Sequence, residues 1–104
     1  MIVEERVYTI KAGALGDYLK IYTNGPLDLQ KKVLGNLIGY FVTEVGPLST
    51  LVHLWGYDSF EERQSRRAAL AAEKVWQDYL VACTPLIANM ENRILLPTAF
   101  SPIR

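Results

Sequence analysis

Residues 35–59, GNLIGYFVTEVGPLSTLVHLWGYDS, decide the fold. Leu37–Val45 is rich in Tyr, Phe, Val and Thr, side chains that suit a pleated, half-buried surface. Gly46-Pro47 interrupts it as a turn, and Leu51–Tyr57 follows as a second run of the same kind. Two such runs joined by a short turn predict a hairpin. Residues two apart in a strand point to the same face, so the second strand sets His53, Trp55 and Tyr57 side by side. His53 is the only histidine in the chain. Asp58 and Ser59 then stand ready as N-caps, with Glu61 and Glu62 three residues beyond them, the pattern of a capping box opening a helix.

Upstream, Ile2–Lys11 alternates as a strand and breaks at Ala12-Gly13. Leu15, Tyr18, Leu19 and Tyr22 recur at the i, i+3, i+4, i+7 spacing of an amphipathic helix, whose apolar stripe belongs in the core. Asn24-Gly25-Pro26 interrupts that helix: Gly25 suits a left-handed C-terminal cap and Pro26 the first turn of a new helix. Leu29 and Val33 carry the stripe on to Gly35. Downstream, the capped helix passes through RQSRRAALAA, and a second pattern follows at Trp76, Tyr79, Leu80 and Cys83 until Pro85. The last strand is expected over Ala88–Leu96, and the tail PTAFSPIR is expected to be extended.

The order is therefore strand, helix, strand, strand, helix, strand. It predicts one α+β domain over residues 1–104, a ferredoxin-like βαββαβ fold with a four-stranded antiparallel sheet and the helices on one face. Half of the 104 residues are hydrophobic, enough for a packed core. A domain of this length still buries only about two thirds of its unfolded surface. The third strand is apolar on both sides, as in strands covered on both faces, and an aromatic-rich face left open would be a large exposed patch. The chain is accordingly expected to pair with itself, as a homodimer or a higher oligomer, with two sheets stacked face to face in a dimeric α+β barrel.

If aliphatic residues face the helices, then Val3, Val7, Val42, Val52, Leu54 and Ile94 lie beneath them. The opposite face then carries Arg6, Tyr8, Phe41, Thr43, His53, Trp55, Glu91 and Arg93. This second set is the candidate ligand pocket. His53 could act there as a general base or hydrogen-bond donor, since an imidazole titrates near neutral pH; equally, it could be a hydrogen-bonded histidine in a packed interface. Arg93 could grip an anion through paired N–H groups, or Glu91 could pair with Arg6 or Arg93 as an internal salt bridge. Arg63, Arg66 and Arg67 read as a solvated helix face paired with Asp58, Glu61 and Glu62. Cys83 reads as a small buried residue.

Several classes are disfavoured. Lys plus Arg and Asp plus Glu are each 11, so there is no basic surplus for a nucleic-acid backbone. One histidine and one cysteine cannot build a zinc site. A single axial histidine could serve haem, but so short a chain encloses haem poorly, and no glycine-rich phosphate loop or dinucleotide fingerprint occurs; neither a metal nor a cofactor is expected. Glu4 and Glu5 interrupt the N-terminal apolar residues too early for a signal-peptide core, and no run is long enough to enter a membrane as a spanning helix. A cytoplasmic protein is the expectation, and the single cysteine agrees with a reducing compartment.

Four pieces, VYTIKAGALGDYLKIY, LGNLIGYFVTEVGPL, VHLWGYDSFEERQSRRAAL and ENRILLPTAFSP, resemble the NIPSNAP family in the same order along nearly the whole chain. The resemblance implies a dimeric α+β barrel, in a superfamily that also includes small cofactor-free monooxygenases. It implies no general activity and carries over no catalytic residues. The mitochondrial and vesicle-linked roles of larger eukaryotic members are not expected to transfer, because the chain leaves no room for an added targeting segment. Two functions follow as expectations: a small-molecule-binding or interaction module, or a cofactor-independent enzyme of monooxygenase or isomerase type with His53 as base and Arg93 as anion holder.

Overall fold

The computed structural model describes residues 1–104. Four strands and four helices follow in the order β1 (Ile2–Ile10), α1 (Leu15–Thr23), α2 (Pro26–Leu34), β2 (Leu37–Val42), β3 (Thr50–Tyr57), α3 (Phe60–Ala71), α4 (Lys74–Cys83) and β4 (Ile87–Leu95), with a single 3-10 turn at Thr84–Leu86 before β4. The sheet is antiparallel in the order β2-β3-β1-β4. The first helical segment is two helices, as the break at Asn24-Gly25-Pro26 predicts, and the second divides as well, after Ala71. The first pair bends at Gly25, whose φ of 112° few side chains would tolerate, with Pro26 opening α2. Ser59 caps α3 by accepting a hydrogen bond from the Glu62 amide at 3.1 Å, while the Glu62 carboxylate accepts from the Asp58 amide at 2.6 Å.

Register fixes the faces. Tyr8 lies opposite Leu51, Arg6 opposite His53 and Glu4 opposite Trp55, while Tyr40 on β2 pairs with His53. These residues point toward the helices, where Tyr8, Leu51, Trp55 and Tyr57 join Tyr18, Tyr22, Leu70, Trp76 and Tyr79 in the core. The expected assignment is thus inverted for most of the sheet. Arg6, Tyr8, His53 and Trp55 lie beneath the helices, and Val3, Val7, Val52 and Leu54 lie on the helix-free face. Val42 and Ile94 do take the helix side, opposite Leu51 and Glu4. The physical reason lies in the helices, which bring three tyrosines and a tryptophan of their own to the sheet. Tyr22 then meets Tyr40 of the sheet at 5.3 Å, between aromatic clusters on the helices and on the strands.

The C-terminal tail does not run straight on from the sheet. It folds back so that Leu96, Pro97, Thr98, Ser101 and Ile103 line a groove of about 310 Å³ with Val3, Ile38, Leu54 and Leu95. On the same face the Phe41 ring lies over Gly39, where an added Cβ would stand 2.7 Å from it.

Candidate functional site

The site is built on the helix side of β1 and β3. His53, 1% exposed, accepts a hydrogen bond at Nδ1 from the Trp55 indole N–H at 2.7 Å. A neutral imidazole has one accepting and one donating nitrogen, so this bond places the ring proton on Nε2. That nitrogen is buried and has no hydrogen-bond partner. Tyr40 stacks on the imidazole at 4.4 Å, and Tyr8 meets it edge-on at 4.9 Å. Burial, with the Arg6 and Arg67 guanidiniums nearby, pushes His53 down to about 3.

These rings wall a cavity of about 40 Å³ between helices and sheet, lined by Tyr8, Tyr18, Tyr22, Tyr40, His53, Trp76 and Tyr79 on the inside. Gln30 and Cys83 also line it, and Leu80, Thr84, Ile87 and Met90 complete it toward the gap between α4 and β4. Two of its hydroxyls bond to each other, Tyr18 to Tyr79 at 2.6 Å, and the Tyr22 hydroxyl donates to the Gln30 side-chain oxygen. Burial raises the Tyr18 hydroxyl to about 12 and those of Tyr22, Tyr40 and Tyr79 still further. The environment opposes charge.

Directly below, Glu4 is fully buried. Its carboxylate accepts from Arg63 at 2.7 and 3.2 Å, from Arg6 at 2.9 Å and from Asn92 at 2.8 Å. Burial works against its charge, but the Arg63 and Asn92 hydrogen bonds and the Arg6 charge outweigh it and hold the carboxyl down at about 2. This cluster ties α3 to β1 and β4. It also corrects the solvated reading for Arg63, which turns inward to Glu4, whereas Arg66 keeps the expected pairing with Glu62 and reaches the Val33 carbonyl as well.

The candidate residues therefore divide. Arg6, Tyr8, His53 and Trp55 come together. Phe41, Glu91 and Arg93 are on the helix-free face, opposite Val52, Val7 and Glu5 respectively, and Thr43 lies just beyond β2. Arg93 bonds to Glu5 at 2.9 Å rather than to Glu91, so Arg93 and His53 do not share a pocket. Glu4, Tyr40 and Gln30 escaped the sequence reading. The alternation Glu4, Arg6, Tyr8 along β1 was the available signal for the first of them.

Comparisons with known proteins agree on the lineage. The NIPSNAP family model matches residues 3–102. A NipSnap homolog of Dictyostelium discoideum is 35% identical over 94 residues, 90% of this chain and 41% of that protein. The chain spans only 19% of a matching Caenorhabditis elegans NipSnap protein, so it covers well under half the length of these curated relatives. The crystal structure of a NIPSNAP family protein from Agrobacterium tumefaciens is 50% identical and superposes with a TM-score of 0.96, covering 99% of this chain and 98% of that one. An antibiotic biosynthesis monooxygenase, 15% identical with a TM-score of 0.61 over 97% of this chain and all of that one, shares the fold alone.

Proposed function

Since the chain belongs to the NIPSNAP family, we propose that it works as a homodimeric small-molecule-binding module that holds its ligand between helices and sheet beside His53. The observation that carries this reading is the unpartnered Nε2–H of a fully enclosed imidazole on the wall of an aromatic cavity. A buried donor without an acceptor costs about 1–3 kcal/mol, and a guest that supplies the acceptor recovers it.

The same geometry disfavours the catalytic alternative. A general base needs an available lone pair and a basicity near the working pH. The His53 lone pair at Nδ1 already accepts from Trp55, and burial has removed most of its basicity. The proposed anion holder, Arg93, faces the other side of the sheet.

The dimeric part of the proposal rests on that other side. No helix covers Val7, Phe41, Val52 and Leu54, the tail groove remains open, and Phe41 is 56% exposed. A second copy placed sheet to sheet would cover them.

Melting shifts across a metabolite panel test the binding reading. Hits that disappear when Met90→Trp closes the gap beside α4, and that are not consumed, are the expected result. A hit turned over at a rate that collapses in His53→Ala would replace the reading with the catalytic one.

A further inference from the structure

Several polar groups on the cavity wall have hydrogens to offer. His53 Nδ1 is occupied by Trp55, and the Gln30 side-chain oxygen by Tyr22. Tyr8 accepts at its hydroxyl oxygen from Arg6 Nε at 2.8 Å, which leaves its own hydrogen to donate. In the Tyr18–Tyr79 pair one hydroxyl donates to the other, so one hydrogen is left over. With the His53 Nε2–H, these groups present three hydrogens in search of an acceptor, and the Tyr40 hydroxyl and the Gln30 side-chain amide line the same wall.

No carboxylate, lysine or arginine lines the cavity. A guest anion would find no cation on the wall itself, the Arg6 guanidinium behind Tyr8 being paired with Glu4, and burying an unpaired charge is costly. The protein's own groups respond to the same environment: the buried tyrosines resist losing a proton and His53 resists gaining one.

Resting on the binding reading above, we propose that the cavity selects a compact uncharged molecule presenting a carbonyl-type oxygen to the His53 Nε2–H, and rejects the matching carboxylate. Ketones, aldehydes and amides belong to this class. At about 40 Å³ the cavity as it stands has room for water rather than for an organic guest. Entry therefore requires Leu80 and Met90, both partly exposed on its outer wall, to swing aside. A leucine and an unbranched methionine are suited to that movement.

Two matched pairs, acetone with acetate and acetophenone with benzoate, test this by NMR titration at pH 7.5 against the wild type, His53→Phe and Met90→Trp. The ketones are expected to shift the His53 and Tyr8 resonances saturably, and the carboxylates to bind at least tenfold more weakly. His53→Phe keeps a ring in place and should weaken the ketones about three- to tenfold, the worth of one net hydrogen bond. Met90→Trp should block them. Carboxylates binding as tightly as ketones, or ketones blocked by Met90→Trp yet indifferent to His53→Phe, would overturn the class assignment and leave a binding site standing. Ketone binding untouched by Met90→Trp, or no binding by any of the four probes, would remove the site together with the class.

Discussion

Trp55 donates its indole N–H to Nδ1 of His53 across 2.7 Å, from two residues along the same strand face. One hydrogen bond thereby fixes the imidazole tautomer, occupies its basic nitrogen and leaves a donor at Nε2. The chemistry open to this cavity follows from that bond.

Trp55→Phe removes the donor while keeping an aromatic ring. A hydrogen bond to the neutral form holds a pKa down, so His53 should rise from about 3 without regaining its ordinary value, because burial persists. The fold should lose about 1–3 kcal/mol through the smaller ring and the lost bond. A pH titration of the His53 ring resonances reads the first effect and chemical denaturation the second. An unchanged His53 pKa would mean that the indole does not control it.

Stability should fall with acid in two stages. His53 is lowered from 6.5 to about 3 and Glu4 from 4.5 to about 2. In both cases the unfolded chain takes up its proton first. The native state is therefore favoured above pH 6.5, loses ground as pH falls from 6.5 through 3 on account of His53, and loses more from 4.5 toward 2 on account of Glu4. Each group contributes a slope of about 1.4 kcal/mol per pH unit within its window. Urea midpoints from pH 8 to 3 should show the two onsets, and His53→Phe should abolish the upper one only.

Glu4→Gln should cost about 2–4 kcal/mol at neutral pH, since it leaves the half-buried Arg63 and Arg6 without their carboxylate. The same variant should flatten the acid slope below pH 4.5. Denaturation at pH 7 and pH 3.5 separates the two effects. A neutral-pH loss below 1 kcal/mol would show that the cluster is dispensable to the fold.

Phe41→Glu probes the helix-free face. Phe41 is more than half exposed in the single chain, so the subunit itself should change by no more than about 0.5–1 kcal/mol. Sedimentation velocity at micromolar concentration is expected to show a dimer for the wild type and a monomer for the variant. A monomeric wild type would remove the sheet-to-sheet proposal.

The element order was legible because helices and strands leave different periods in a sequence, 3.6 and 2, and the punctuation at Gly25-Pro26, Gly46-Pro47 and Asp58-Ser59 is strong. The face assignment was not. Alternation sorts β3 into Leu51, His53, Trp55, Tyr57 and Val52, Leu54, Gly56, but a period of two is silent about which set meets the helices. That choice was made by Tyr18, Tyr22, Trp76 and Tyr79, which reach the sheet from α1 and α4. Glu4 was hidden for a related reason. A carboxylate in a strand ordinarily marks solvent, and the partner that keeps it charged inside, Arg63, lies 59 residues away. His53 and Trp55 were recognised as a pair from their spacing. Arg93 fell out of the site because β4 presents it beside Glu5 on the opposite face.

The protonation and availability of the His53 imidazole are read directly by a proton–nitrogen correlation spectrum of ¹⁵N-histidine-labelled protein, since His53 is the only histidine. At pH 7 it should show a protonated Nε2 and an unprotonated, hydrogen-bonded Nδ1, with no further protonation down to pH 5. Saturating acetophenone should move Nε2 while leaving Nδ1 close to its starting position. A proton on Nδ1, or an imidazolium titrating near pH 6.5, would contradict the account.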